Sequence, residues 1–571
     1  MTGAAWNGGV AAVVRGHRRP LVLAAGAATL TPLLELTYPW PLALAVDHVL
    51  DGRPFTGALA TLDGVGPIAV LGVCAAAVLV LAGVGALADR AAVARSERAA
   101  ERIGSDLRRA VFDRAVALPV RFHDRHHSGE LVSRLTTDVG RVQDAVTAAT
   151  LVVLADGLLV GGTLVVLSLV APDLALVALL VVPPLAVVAV VHRRRVRAAE
   201  SRARAAAGGL AALATDLIGA VRIVQVFNRR GAVQARFRAT DSAVLDARLD
   251  AVRVQAGWAP RADLVLAAGT ALTLVVGVLD ARAGVISTGT LLLALAYVRD
   301  LYGPIRSLAK LAGTFAKAGA SAARIGAVLD STEVVADDPS APAAPPVTTG
   351  VGFHGVRFGH DPARPVLDDV DLRLPARSLT AVTGPSGCGK TTLLQLVLRL
   401  HDPDEGAVTV DGVDVRACSL ESLRSRIGYV PQDPSLVTGS IADNVAFGGR
   451  DLSRAAVVAA ARDAGVLEFA NQLQSGVDAG VGEGGRRLSG GQQRRVAIAR
   501  AVAGAPPVLL VDEPTAGLDR AAADTVLDAL VRAGRGRTTV VVTHDPAVLA
   551  VADRVIELTA PTTVRKEVTT R

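Results

Sequence analysis

Gly384-Pro385-Ser386-Gly387-Cys388-Gly389-Lys390-Thr391-Thr392 matches the pattern G-x-x-x-x-G-K-[ST] and follows the apolar run Leu379-Thr380-Ala381-Val382-Thr383. Glycines let a backbone bend so that several N–H groups converge on phosphate oxygens. Lys390 supplies a charge to the outer phosphates, and the Thr391 hydroxyl is placed to ligate Mg²⁺. The context is the one this chemistry needs: a strand before the loop and the helical stretch from Thr392 to Leu398 after it. Gly384 to Thr392 is therefore read as a nucleoside triphosphate cradle. Cys388 inside it is read as a small filler, with an oxidation switch as the alternative.

Away from this loop the chain changes character. It has 571 residues, too many for one ordinary domain, and is 51% hydrophobic but only 3% aromatic. Mean hydropathy is +0.43, carried by long runs of Ala, Val and Leu that point to lipid. Net charge is +7. That balance alone is compatible with nucleic acid, but the placement of the charges speaks for membrane topology and no nucleic-acid partner is expected. Cys74, Cys388 and Cys418 build no disulfide or zinc framework. Arg15, Arg18 and Arg19 precede an apolar run longer than a signal peptide, so a membrane span is expected there.

The expected architecture is a helical transmembrane domain with six spans over 1–328, a linker at 329–348, an α/β ATP-binding domain over 349–560 and a tail at 561–571. The spans are Leu21–Val46, Val65–Leu87, Ala148–Val170, Leu174–Val191, Leu264–Leu279 and Val285–Leu308. Asp156 interrupts the third. One central Asp costs about 3 kcal/mol, whereas the Leu and Val residues of 151–170 contribute about −4 to −8 kcal/mol, so insertion wins. The long connections carry the arginines (Arg90, Arg95, Arg98, Arg102; Arg193, Arg194, Arg195, Arg197) and the short ones almost none. This places both termini and both long loops in the cytoplasm, with the helices continuing beyond the bilayer as stalks. Gly157-x-x-x-Gly161 is a weak signal for close helix packing.

Several motifs join the phosphate loop. Val508-Leu509-Leu510-Val511 runs into Asp512 and Glu513, carboxylates suited to holding Mg²⁺ and polarising a water. Leu488-Ser489-Gly490-Gly491-Gln492 offers a hydroxyl and bare N–H groups at a helix start. Val540-Val541-Val542-Thr543 ends at His544, an imidazole within reach of a terminal phosphate or a satisfied structural residue.

In this order, with Gln432 in Tyr429-Val430-Pro431-Gln432-Asp433 and Leu518-Asp519, the motifs resemble those of ATP-binding cassette (ABC) transporter ATPases. The likeness spans nearly the whole chain. Leu118 to Arg125 and Ser128 to Val139 are similar to the first cytoplasmic loop of bacterial ABC exporters. Gly219 to Phe227 is similar to the second, and Val481-Gly482-Glu483 to the exporter segment ahead of LSGGQ.

The resemblance implies a half-transporter in the bacterial inner membrane that works as a dimer. Two ATP molecules with Mg²⁺ would lie between Lys390, Thr391, Gln432, Asp512, Glu513 and His544 of one chain and Ser489, Gly490, Gly491 and Gln492 of the other. Thr391, Gln432 and Asp512 would hold the metal, Asp519 would join the nucleotide site, and Phe122, Asp124 and Glu483 would couple it to the membrane helices. The departure is His360 in Val356-Arg357-Phe358-Gly359-His360, where the family usually has a tyrosine stacking on adenine and the imidazole would stack in its place, more weakly. Both halves of an ATP site are complete, which favours a homodimer over pairing with a second half-transporter.

Ionisable groups within spans, Glu35, Asp156, Arg299 and Asp300, are the cargo candidates, with pairing or snorkelling as the alternative. His123, His126 and His127 have helical metal-ligand spacing but are read as a solvated loop. The cargo itself is not encoded. An importer on the same scaffold and an ATP-gated channel or sensor stand as alternatives to export.

Overall fold

Two periodicities alternate along the chain, and the computed structural model follows them. It describes residues 8–55, 66–126, 128–332, 335, 337–338, 340–361, 364–559 and 564–569. Two compact units result, one of Met1–Val116 with Ser128–Ser331 and the other of Ala117–His127 with Thr332–Arg571. The tip of the first long loop thus groups with the second unit.

The first unit is helical throughout. Five stretches among the described residues are long and apolar enough to cross a bilayer: Arg18–Leu50, Pro67–Ala117, Ser128–Val170, Pro172–Gly219 and Arg230–Arg282. Pro67–Ala117 has 51 residues, a length of about 77 Å at 1.5 Å per residue. A hydrocarbon core needs only about 30 Å, so the helix runs on well past it. In none of the five apolar windows is more than 22% of the residues buried; Val22, Ile68, Leu79, Leu169 and Leu264 point outward, as a lipid-facing surface requires. The stretch expected as a sixth span is helical but interrupted. One helix covers Thr288–Asp300, Leu301 breaks the run, and another covers Tyr302–Leu329.

Polar side chains in these helices turn back on their own backbone. Thr37 donates to the Leu33 carbonyl (2.7 Å), Ser168 to Leu164 (2.7 Å) and Thr273 to Gly269 (2.9 Å). Each hydroxyl is satisfied without water, which a lipid environment demands. Close helix packing comes from a different glycine than expected. Gly157 and Gly161 face open space, whereas a Cβ on Gly162 would meet Leu36 Cδ1 at 2.4 Å. The sequence spacing fixes which glycines share a face but not which face meets a neighbour.

The second unit holds two sheets. Strands β1 (Gly350–Phe358), β2 (Leu367–Pro375), β3 (Leu379–Thr383), β4 (Glu405–Val410), β5 (Val413–Asp414), β6 (Ile427–Val430), β7 (Val508–Asp512), β8 (Thr538–Val542), β9 (Arg554–Leu558) and β10 (Val564–Thr569) form them. The smaller sheet has the order β2-β1-β4-β5, and the larger β10-β9-β3-β8-β7-β6. In the larger one all neighbours are parallel except β10, which pairs antiparallel with β9. The segment expected as a tail therefore contributes an edge strand at 564–569; 561–563 and 570–571 lie outside the described residues.

The central strands are buried on both faces, which explains their unbroken apolar runs. Period-two alternation sends Val508, Leu510, Val540 and Val542 into a core shared with Leu393, Leu394 and Val397 of the phosphate-loop helix. Leu509, Val511 and Val541 enter a second core with Val496, Ala497 and Ile498 of the helix Gly490–Val502. The phosphate-loop helix and the helix that follows LSGGQ thus pack on opposite faces of one sheet. The end of the linker is pinned as well: Asp411 accepts backbone hydrogen bonds from Thr348, Thr349 and Gly350 at 2.6–3.0 Å.

Candidate nucleotide site

In a parallel α/β sheet, ligands gather at the carboxyl ends of the strands. Here β3 ends in the phosphate loop, β6 leads to Gln432, β7 ends at Asp512 and Glu513, and β8 leads to Thr543 and His544. Because β3, β8, β7 and β6 are consecutive neighbours, all these side chains share one edge.

The loop has the backbone that a cradle requires. Gly384 (φ 148°) and Gly389 (φ 91°) lie where L side chains are strained, and a Cβ would strike the Leu558 carbonyl oxygen at 2.5 Å or Leu367 Cδ2 at 2.7 Å. Pro385, Ser386 and Gly387 form its exposed rim, while Cys388, Gly389, Lys390 and Thr392 are buried. Burial of Cys388 among apolar residues fits its reading as a filler. The Lys390 ammonium donates to the carbonyls of Gly384 (2.8 Å) and Pro385 (3.0 Å), folded onto its own loop.

Thr391 Oγ1 donates to Asp512 Oδ2 at 2.8 Å. Asp512 is 2% exposed, and its Oδ1 has no hydrogen-bond partner among the described residues. Burial pushes the Asp512 carboxyl up and the Glu513 charge adds to this, against the Thr391 hydrogen bond. An orphaned carboxylate oxygen beside a hydroxyl, below a phosphate cradle, is the hard-oxygen set that Mg²⁺ takes with phosphate oxygens. Burial and the Asp512 charge push the nearby Tyr429 phenol up to about 12, so it stays neutral.

Glu513 has φ 47°, in the left-handed region, a conformation costing about 1 kcal/mol for a residue with a Cβ. Its N–H donates to the Val542 carbonyl at 2.8 Å, which holds it there. His544 Nε2 stands 3.8 Å from Glu513 Oε1, with both side chains partly open to solvent. A carboxylate and an imidazole are thus brought together at the strand ends.

Other expected site residues are placed differently. The Gln432 side chain is exposed and makes no hydrogen bond to Thr391 or Asp512 among the described residues. Its carbonyl accepts from Arg494 Nη2 at 3.3 Å, and Arg494 Nη1 reaches the Ala516 carbonyl at 2.6 Å. Arg494 was not among the expected residues. It is buried, and its helical spacing with Gly491 and Ile498 puts it on the apolar face, a signal the sequence did carry. Ser489 and Gln492 form a capping box, in which Ser489 Oγ accepts from Gln492 N (3.4 Å) and Gln492 Oε1 from Ser489 N (2.9 Å). Gly490 and Gly491 open that helix. Asp519 caps the next helix by accepting from Ala522 N at 2.9 Å.

His360 is exposed just past the end of β1, and its ring sits edge-on to Phe358 (5.2 Å) and His401 (5.5 Å). Phe122, 4% exposed, lies in the short helix Val120–Arg125 and stacks on His126 at 4.2 Å; His127 lies outside the described residues. Asp124 and Glu483 are exposed, the latter 4.0 Å from Arg486. In the membrane unit Asp156, Asp300 and Asp89, each from a different helix, come within electrostatic reach of Glu35. Asp156 is hydrogen bonded to Ser307, and Arg299 lies beside Asp300.

Comparison with known proteins agrees with this division. Residues 21–305 match the ABC transporter transmembrane region, and 367–516 match the ABC transporter family. The chain is 30% identical to the ATP-dependent lipid A-core flippase of Syntrophus aciditrophicus over 458 residues, covering 80% of this chain and 76% of that protein. It is 32% identical over 549 residues to a multidrug efflux ATP-binding/permease protein of Mycobacterium tuberculosis, covering 95% of this chain and 44% of that one. A solved bacterial Atm1-family ABC exporter with ATP bound superposes with a TM-score of 0.80 at 26% identity, covering 97% of this chain and 96% of that one.

Proposed function

The chain belongs to the ABC transporter family as a fused half-transporter, and on that premise we propose that two copies export an amphiphilic or lipid-like molecule at the expense of ATP. The observation that carries the reading is the single sheet edge holding the phosphate loop, the Thr391–Asp512 pair and the Glu513–His544 pair, in a chain whose other unit is built of spanning helices.

In this reading Lys390 leaves its loop carbonyls for the outer phosphates, and the loop N–H groups receive the rest. Thr391 and Asp512 would hold Mg²⁺, which neutralises phosphate charge when bound. Glu513 accepts a proton from the attacking water, and His544 hydrogen bonds the terminal phosphate. Arg494 keeps the Gln432 and Ala516 segments in register beside them. Packing of the phosphate-loop and LSGGQ helices on opposite faces of one sheet supports completion of each site by Ser489, Gly490 and Gly491 of a second copy. Possession of both halves favours a homodimer.

Two bound nucleotides then hold a closed pair that hydrolysis releases, a population shift set by differential affinity. Phe122 and Asp124 on the helix Val120–Arg125, with Glu483, transmit that shift to the stalks. Arginine-rich long loops support placing the ATP-binding unit and both termini on the cytoplasmic side. The names of the relatives, a lipid A-core flippase and a multidrug efflux protein, suggest the cargo class, and Glu35, Asp156, Arg299 and Asp300 are its candidate contacts.

Reconstitution in liposomes with the ATP-binding unit outside tests the reading. Uptake of a fluorescent amphiphile that requires ATP and fails with a non-hydrolysable analogue is expected. Equal flux with the analogue would make the protein a gated channel instead.

A further inference from the structure

His401 occupies a position the nucleotide chemistry above does not use. It is 6% exposed, and its Nε2 has no hydrogen-bond partner among the described residues. Leaving such a nitrogen buried costs about 1–3 kcal/mol, so something other than its own stability accounts for the placement. Its ring packs against Phe358 at 5.3 Å and edge-on to His360 at 5.5 Å. The loop behind it fixes the same segment through the backbone: Asp404 accepts from Gly359 N at 2.9 Å, and Asp404 N donates to the Arg357 carbonyl at 2.8 Å. From the other side Arg121, on the helix Val120–Arg125, donates to the His360 carbonyl at 3.1 Å. The one exposed ring of this group is that of His360.

We propose that His401 is a positioning residue for nucleotide binding, holding the His360 ring from behind so that it meets the purine base face-on, with Arg121 fixing the His360 backbone from the helix Val120–Arg125. This rests on the reading of His360 as the ring that faces the base. An imidazole standing where the family has a larger phenol has less area to stack, and a rigid backing ring offsets that by reducing the ordering needed on binding. The charged and titratable groups facing His401 are His360, Arg121, Asp124 and Asp402. Burial lowers its pKa first, His360 and Arg121 lower it further, and Asp124 and Asp402 oppose them. The lowered pKa keeps the His401 ring uncharged near neutral pH, the form that packs against Phe358 and His360.

The test is ATP hydrolysis by the full-length protein in liposomes at pH 7.5, for the wild type, His401→Ala, His401→Phe and His360→Ala. His401→Ala should raise KM for ATP about fivefold while kcat at saturating ATP changes less than about twofold, the split expected when ground-state binding is lost. His401→Phe keeps a ring that can back His360, so it should hold KM within about twofold of the wild-type value. An unchanged KM in His401→Ala, or a fivefold rise in His401→Phe, overturns the proposal, and the phenylalanine arm decides if the alanine variant does not fold. If His360→Ala raises KM and the His401 variants do not, only the positioning role fails. If His360→Ala leaves KM unchanged, the base is not read at His360 and both readings fall.

Discussion

In the ATP-binding unit, Thr391 meets Asp512 and Glu513 meets His544 because neighbouring parallel strands end at one edge. In the membrane unit, Asp156 and Asp300 come within electrostatic reach of Glu35 although the three belong to helices far apart in sequence. The first convergence is local in its cause: an apolar run that stops at a polar residue marks a strand end, and strand ends of a doubly covered sheet lie together. The second depends on how helices are rotated against one another, which lipid-facing and protein-facing Leu and Val do not record. Chemistry is therefore far more legible in one unit than in the other.

The largest expected effect tests the first unit. Glu513→Gln should lower steady-state ATP hydrolysis at least about 100-fold while equilibrium ATP binding stays within about twofold, as loss of a general base predicts. Turnover near the wild-type rate would remove Glu513 from that role and dissolve the contrast between the units. Next comes their communication. Phe122→Ala should cut transport per ATP about tenfold in liposomes while ATPase activity persists, an effect on coupling rather than chemistry; unchanged stoichiometry would place coupling elsewhere.

The phosphate loop, the Asp512–Glu513 strand, LSGGQ and His544 were readable because each pairs a short polar motif with a buried strand or a helix start. Other features were not. Asp519 carries a capping hydrogen bond that secures a helix start, and a residue read only for its ligand chemistry hides that structural work. Gly162 rather than Gly157 or Gly161 permits close approach, because spacing on one helix says nothing about its neighbour. The break at Leu301 and the edge strand at 564–569 depend on tertiary context that an apolarity profile does not contain.

Smaller effects sharpen the comparison. Arg494→Met keeps the apolar stem but leaves the Gln432 and Ala516 carbonyls without their donor. A loss of about 2 kcal/mol in denaturant stability is expected, the size of a charge-assisted hydrogen bond. No change would mean that water replaces the guanidinium. Asp411 gives the smallest effect. Burial alone would raise its pKa, but hydrogen bonds from Thr348, Gly350 and Thr349 outweigh this and hold the carboxyl well below the usual range. Because the folded pKa is depressed, its stabilisation is present above about pH 4, the unfolded value, and is lost as pH falls below that. Asp411→Asn should therefore lower the melting temperature by about 2 °C at pH 7. The gap should shrink as pH falls below 4; a gap that stays constant with pH would show that the carboxylate charge is irrelevant to the anchor.

The central claim is that two copies share each ATP. It is tested by cross-linking full-length protein carrying Ser386→Cys, Ser489→Cys and Glu513→Gln, with Cys74, Cys388 and Cys418 replaced. The account predicts a covalent two-chain species that forms with ATP and is absent without nucleotide. A product that stays single-chain in saturating ATP would contradict it.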